Sequence, residues 1–206
     1  FKKTSWPIKT LGELSLIITK GSSPNWQGFE YSETGIVFVR SQNVGWGHLD
    51  LADVAHLPKT FNQKEKKSIL KSGDVLLNIV GASIGRAAVA NDEVEGGNVN
   101  QAVAVIRPLK NFLSEKFLVY FLLSEKAQAV IHSQKVDVAR ANLSLEQIRN
   151  LSISLPPFAE QTRIVAEVER RLSVVEELEA VVKLNLGRAT RLRQAILQRA
   201  FSGGLV

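Results

Sequence analysis

A group of polar side chains, including an arginine and an asparagine, comes directly after a short apolar segment of this sequence. The segment at residues 36–39 is predicted to be a strand, and Arg40, Ser41, Gln42 and Asn43 come at its end. Arginine can form paired hydrogen bonds with the edge of a guanine, and asparagine with the edge of an adenine. We therefore expect Arg40 and Asn43 to read bases, although a strand end that faces water would carry the same residues.

Two further polar loops contain glycines beside hydrogen-bonding side chains. Residues 20–26 join a lysine, two serines and an asparagine to a tryptophan, a combination that can bind phosphates and bases. Residues 81–86 hold two glycines, which allow a ligand to approach the backbone closely, together with Ser83 and Arg86. An ordinary turn and a ligand-free hairpin are the alternative interpretations of these two loops.

A fourth loop, at residues 136–142, offers another arginine at position 140. We expect Lys20 and Arg140 to hold phosphates, because such contacts orient a protein on DNA without reading its sequence. The residues predicted to contact DNA are Lys20, Ser23, Asn25, Arg40, Ser41, Asn43, Ser83, Arg86 and Arg140.

No catalytic or metal-binding pattern accompanies these loops in the sequence. The three histidines are scattered without metal-ligand spacing, there is no cysteine, and the 81–86 segment lacks the pattern of a phosphate-binding P-loop. Residues 155–158, Leu-Pro-Pro-Phe, resemble the Asn/Asp-Pro-Pro-aromatic motif of amino-methyltransferases, but leucine cannot accept a hydrogen bond from the target amine. We therefore predict a non-catalytic chain that itself binds no cofactor and no metal.

Composition places the chain among basic globular proteins. The 206 residues carry a formal net charge of +6, which favours a polyanionic partner, and 45% are apolar, enough to bury a core. The lack of cysteine and of a long apolar run favours a cytoplasmic protein with no membrane role. Because the chain begins at Phe1 and contains no methionine, we expect it to be a fragment of a longer chain.

These loops must be positioned by strands and helices, and the pattern of those elements predicts an α+β fold. Residues 1–155 are expected to form a strand-rich mixed domain with short helices. Strands are expected at residues 36–39, 75–80, 87–90, 101–107 and 151–155. Helices are expected at residues 10–17, 62–68 and 114–131 and after Ser144, with capping boxes at Thr10 and Ser144.

A long helical arm is predicted for residues 156–206. Between Ile164 and Ile196, apolar residues recur every three or four positions, close to the period of a supercoiled helix pair. A helix of about 40 residues is roughly 60 Å long, more than one small domain can cover, so a partner is expected. Glutamates fill the first half and lysine and arginine the second, which favours antiparallel pairing with a second copy. A long core helix is the alternative.

Several stretches of the sequence together resemble the specificity subunits of type I restriction–modification systems. The most specific stretch is the junction LSISLPPFAEQTRIVAEVERRL at residues 151–172, which follows RANLS at residues 140–144. The stretches that resemble the target-recognition domain of that family are GIVFVRSQNV, KSGDVLLNIVGASIGRAAVA and GNVNQAVAVIRP. In the family two such halves lie in tandem with their long helices antiparallel, and this chain corresponds to one half.

The resemblance implies a chain that reads one part of a bipartite site in double-stranded DNA and directs separate modification and restriction subunits. S-adenosylmethionine, ATP and magnesium would then belong to those partner subunits. The second helix would come from another copy, giving a homodimer, or from the other half of a longer subunit.

Two other functions compete with this interpretation. One is a coiled-coil scaffold whose globular head binds protein, and the other is a stand-alone DNA methyltransferase, against which Leu155 argues.

Overall fold

The computed structural model of the chain describes residues 6–133 and 142–204. The chain divides into two compact units, Phe1–Thr162 and Arg163–Val206, so the boundary between them lies inside the last helix. Within the described ranges, no helix is both long and apolar enough to cross a membrane.

Strands and short helices are mixed along the first unit, which confirms the predicted α+β class. The strands are β1 (Ile8–Thr10), β2 (Ser15–Lys20), β3 (Ile36–Val39), β4 (Ala55–Leu57), β5 (Val75–Asn78), β6 (Ala87–Val89), β7 (Asn98–Val99), β8 (Val103–Pro108) and β9 (Ser152–Ser154). The helices are α1 (Thr60–Lys64), α2 (Glu115–Leu123), α3 (Glu125–Ser133), α4 (Leu145–Arg149) and α5 (Phe158–Phe201).

A four-stranded antiparallel sheet, in the order β2-β8-β5-β6, contains the most deeply buried strands of the first unit. Every residue of β5 is buried, and so is most of β8, so both strands are mainly apolar on both faces, with Asn78 and Arg107 as their polar members. Val75 pairs with Val89 and Leu77 with Ala87, which makes β5 and β6 the tight hairpin expected from the sequence.

A three-stranded sheet, in the order β4-β3-β7, forms a second framework. Strand β3 is antiparallel to β4 and parallel to β7, with Val39 opposite Val99. Phe61 of α1 packs edge-on against Phe38 of β3 and against Phe29, with ring centroids 5.6 and 5.3 Å apart. The three rings therefore hold both α1 and the segment around Phe29 against strand β3. A separate pair, β1 and β9, brings residues 8–10 beside residues 152–154.

A buried ion pair joins the far end of β8 to the turn that precedes β5. Arg107 donates from Nε and Nη2 to the two carboxylate oxygens of Asp74, each at 2.7 Å, and Asp74 is almost completely buried. These hydrogen bonds raise the pKa of Arg107 above its ordinary value. Removing either partner would leave a buried charge unpaired, so the pair fixes the relative position of these segments.

The helix predicted at residues 10–17 is wrong, although its capping box is present. Thr10 N donates to the Glu13 carboxylate at 2.8 Å, and Glu13 N donates to Thr10 Oγ1 at 3.3 Å. Hydrogen bonds from Lys9 and Thr10 lower the pKa of Glu13 to about 2. The chain nevertheless forms only a turn here, because residues 15–20 pair with β8 as strand β2. Long-range strand pairing therefore overrides the local capping signal.

Two other predicted helices are each interrupted. The segment at residues 62–68 is split at the buried Glu65 into the end of α1 and a short 3-10 turn, Lys66–Ser68. The segment at residues 114–131 is split at Ser124, whose hydroxyl donates to Phe121 O at 2.6 Å and accepts from Ala127 N. Ser124 therefore ends α2 and begins α3. The predicted capping box at Ser144 is confirmed at the start of α4.

Helix α5 is a single helix of 44 residues, as the apolar period predicts. Its apolar side chains are about half exposed or more from Leu172 onwards, including Leu178 at 60%, Leu186 at 68% and Leu192 at 63%. Near its start, Glu167 accepts hydrogen bonds from Arg170 and Arg171, which lower the pKa of its carboxyl group to about 2.

Candidate nucleic-acid interface

The predicted DNA-contacting loops leave the first unit from one end of its sheets. Lys20 at the end of β2 pairs with Ala104, and Asn78 at the end of β5 pairs with Val103. Val39 at the end of β3 accepts a hydrogen bond of 3.0 Å from Asn100 N, which lies in the turn between β7 and β8. The carboxyl ends of β2, β3 and β5 therefore all lie beside the start of β8. The 21–35 loop, the 40–54 loop and the 79–86 hairpin begin at this common edge.

Arg40 is held inside the 40–54 loop instead of extending into solvent. Its Nη2 donates to Asp53 O at 2.7 Å and to Asp53 Oδ2 at 3.2 Å, and the guanidinium lies 5.9 Å from the centre of the Tyr31 ring. The Arg40 Nε is buried and has no acceptor among the described residues. Because both hydrogens of Nη2 are used by Asp53, reading a guanine with two hydrogen bonds would require Arg40 to leave this position.

Asn43 is buried, which corrects its predicted role as a base reader. Its Oδ1 accepts from Arg40 N at 2.9 Å, and its Nδ2 donates to Asp50 O at 2.9 Å and to Asp53 O at 3.0 Å. Only 2% of the residue is exposed. Asparagine side chains often form hydrogen bonds with main-chain atoms a few residues away. An asparagine three residues after the strand end could therefore have been recognised as a residue that closes the loop.

Ser41 and Gln42 occupy the 3-10 turn between these two residues. Ser41 is half-buried, and its main-chain oxygen accepts a hydrogen bond from Asn78 Nδ2 at 2.8 Å. Gln42 is exposed and donates to Asp53 Oδ2 at 3.1 Å. Gln42 can pair with an adenine edge as asparagine does, although the residues predicted to contact DNA did not include it.

The 21–35 loop is anchored at several points and exposes the residues that the sequence predicted. A Cβ at position 21 would collide with the carbonyl of Val99, so only glycine allows the loop to start here. Gln27 Nε2 donates to the buried Glu65 carboxylate at 2.9 Å. Lys20 and Asn25 are exposed, Ser23 is half-buried, and Trp26 is 88% exposed. A single exposed indole is common at protein surfaces, and here it gives the loop an aromatic face on which a base could stack.

The 79–86 hairpin carries the remaining described candidates. Ser83 is half-buried, with its hydroxyl 3.5 Å from Val80 O. Arg86 is half-buried, and its guanidinium has no hydrogen bond or ion pair to a described residue. Gly47 N donates to Ala87 O at 2.9 Å, which places Trp46, 55% exposed, beside this hairpin. Arg140 lies outside the described residues.

The side chains at this edge offer hydrogen bonds, positive charge and aromatic faces. In residues 6–133 and 142–204, no group of histidine, aspartate and glutamate side chains has the arrangement of a metal site. The edge combines exposed amides, cations and indoles, which are the side chains that contact phosphates, base edges and base planes.

Comparisons with known proteins agree with this chemistry. The family model described as the type I restriction modification DNA specificity domain matches residues 3–181. The EcoBI specificity subunit of the type I restriction enzyme from Escherichia coli is 32% identical over 171 residues, covering 83% of this chain and 36% of that subunit. The EcoKI specificity subunit of Escherichia coli strain K12 is 27% identical over 188 residues, covering 89% of this chain and 39% of its own length.

Solved structures share the architecture as well. A chain from work on complex assembly and conformational transition of the type I R-M system has a TM-score of 0.76 and 26% identity. The crystal structure of the HsdS subunit from Thermoanaerobacter tengcongensis has a TM-score of 0.66 and 25% identity. These matches cover 97% and 99% of this chain and 46% of each neighbour. The chain therefore spans less than half the length of the relatives it matches.

Proposed function

Because this chain belongs to the family of type I restriction modification DNA specificity domains, we propose that it reads one part of a bipartite site in double-stranded DNA. The observation that carries the proposal is the shared edge at the start of β8, from which the 21–35 loop, the 40–54 loop and the 79–86 hairpin all begin. Separate loops gathered at one edge can contact adjacent base pairs together.

The geometry divides the work among the candidate residues. Arg86, Asn25 and Gln42 are assigned to base edges, because their side chains retain hydrogen-bonding atoms that the described structure does not use. Lys20 is assigned to a phosphate, as is Arg140 on sequence grounds alone. Ser23 and Ser83 are assigned to minor contacts at the rim. Arg40, Ser41 and Asn43 are assigned to holding the 40–54 loop.

Chemistry on the DNA is assigned to other subunits. Under this proposal the chain directs modification and restriction subunits that bind S-adenosylmethionine, ATP and magnesium, and it holds none of these itself. Its ligand is the cell's own and incoming DNA, so its place of action is the cytoplasm.

A second copy of the chain, or the other half of a longer subunit, is proposed to cover α5. The support is the exposed apolar series from Leu172 to Ile196, together with the separation of charge along the helix. Glutamates dominate residues 160–179, whereas Lys183 and the following arginines dominate the second half. An antiparallel pair sets acid against base, and the resulting two-fold axis predicts a palindromic, interrupted DNA site for a homodimer.

Selection from a random duplex library tests the proposal. The purified chain should enrich one sequence, and its affinity for that duplex should fall steeply between two salt concentrations because phosphate contacts release counterions. Failure to bind any duplex would favour the scaffold interpretation. Transfer of a labelled methyl group by the chain alone would instead indicate a methyltransferase. Sedimentation of the same preparation tests pairing, and a monomer at tens of micromolar would refute a homodimer.

A further inference from the structure

Asn78, the last residue of β5, is bonded to two of the three loops at the shared edge. Its side chain is completely buried, and its Nδ2 donates to Ser41 O at 2.8 Å and, at 3.5 Å, to Val44 O. Its main chain closes the 79–86 hairpin, since Asn78 N donates to Arg86 O at 2.9 Å and Asn78 O accepts from Gly85 N at 3.0 Å.

Stability alone does not account for asparagine at this position. The Asn78 Oδ1 is buried and has no donor among the described residues. A buried polar atom without a partner costs stability, and an apolar side chain of similar size would avoid that cost. The two hydrogen bonds from Nδ2 are what asparagine provides and an apolar residue does not. Both go to the 40–54 loop.

We propose that Asn78 is a positioning residue that fixes the 40–54 loop relative to the 79–86 hairpin, so that the two read DNA as one unit. This inference rests on the proposed function. Binding groups must be held to within about half an ångström by supporting hydrogen bonds to keep their geometry. Gln42 follows Ser41 directly, and Arg86 supplies the carbonyl bonded to Asn78 N. Asn78 therefore sets the spacing between these two base-reading candidates.

Gln161 provides a matched control in the same unit. It is also completely buried, and its Nε2 also donates two hydrogen bonds, to Phe112 O at 2.8 Å and to Pro156 O at 3.0 Å. Those bonds involve none of the three loops at the shared edge. Asn78→Ala and Gln161→Ala should therefore both lower stability, but only the first should alter DNA reading.

The experiment compares the two variants on the duplex that the wild-type chain enriches and on a scrambled duplex. We expect Asn78→Ala to lower the ratio of cognate to scrambled affinity roughly tenfold, the cost of about one mismatched base pair, with the salt slope unchanged. Repeated selection with this variant should yield a motif degenerate at some positions. Gln161→Ala should keep the wild-type ratio and motif at a similar melting temperature.

A ratio within about twofold of wild type for Asn78→Ala would overturn the inference, and so would an equal fall for Gln161→Ala. If Asn78→Ala does not fold, Asn78→Ser, which keeps one donor on a shorter side chain, decides by the same criterion. If the wild-type chain enriches no duplex, the proposed function itself fails, and this inference fails with it.

Discussion

Arg40→Ala should destabilise the first unit rather than remove a free base contact. The substitution deletes the hydrogen bonds from Nη2 to Asp53 and the approach of the guanidinium to the Tyr31 ring. A hydrogen bond from a charged donor contributes about 1.5–3 kcal/mol, whereas the ion pair with the highly exposed Asp53 carboxylate contributes at most about 1 kcal/mol. A cation–π contact adds about 0.5–1 kcal/mol. Since water replaces part of each contact, we expect the free energy of unfolding to fall by about 2 kcal/mol.

Urea unfolding followed by tryptophan fluorescence measures this change, with Gln42→Ala as the control. Gln42 is an exposed neighbour that also bonds to Asp53, so its removal should change the free energy of unfolding by less than about 0.5 kcal/mol. For cognate DNA we expect the larger loss of affinity from Gln42→Ala, because it removes a direct contact with the DNA. Arg40→Ala should lower the affinity less, and only because the 40–54 loop is displaced. If Arg40→Ala leaves stability unchanged and lowers only cognate binding, Arg40 is the base reader that its sequence position predicts, and our assignment is wrong.

The remaining predictions concern an exposed indole, a helix glycine and a surface carboxylate. Cognate DNA should quench the tryptophan fluorescence of wild type more than that of Trp26→Phe, since Trp26 is 88% exposed at the proposed interface; equal quenching would remove it from that interface. Gly187→Ala should stabilise α5 by about 1 kcal/mol, because a Cβ there meets no atom of the chain within 4 Å. If a partner helix approaches at this glycine, sedimentation should also show weaker self-association, and unchanged association would leave Gly187 without a packing role. The pKa of Glu167 is lowered to about 2 by hydrogen bonds from Arg170 and Arg171, so the stability that these pairs add is complete above the ordinary pKa of 4.5 and is lost as pH falls towards 2. A carboxyl-carbon NMR titration should return this pKa towards 4.5 in the double variant Arg170→Gln, Arg171→Gln, and an unchanged value would show that the ion pairs do not form in solution.

Features encoded over a few neighbouring residues were predictable from the sequence. The strand at residues 36–39, the capping box at Ser144 and the length of α5 follow from local pattern, and the structure has each of them. The helix expected after Thr10 is absent because residues 15–20 pair as a strand with β8, which lies far along the chain. A local pattern does not contain that information.

In the candidate site, too, local signals could be read from the sequence and long-range contacts could not. Residue type and turn signals selected Lys20, Asn25 and Arg86, and the structure leaves the first two exposed and Arg86 half-buried. The burial of Asn43 was not, because it depends on the carbonyls of Asp50 and Asp53, which come to Asn43 only when the 40–54 loop closes. Pairwise contacts of this kind cannot be read from composition or spacing.

Main-chain hydrogen bonds connect many of the segments beneath the loops, and this affects which substitutions the fold tolerates. The hydrogen bonds Gly45 N to His48 O, Gly47 N to Ala87 O, Asn100 N to Val39 O and Leu143 N to Ile79 O involve no side chain. Substitutions at exposed tip positions such as 25, 42 and 82 therefore leave the frame intact. Under the proposed function, a few tip substitutions that the fold tolerates would be enough to change the DNA target.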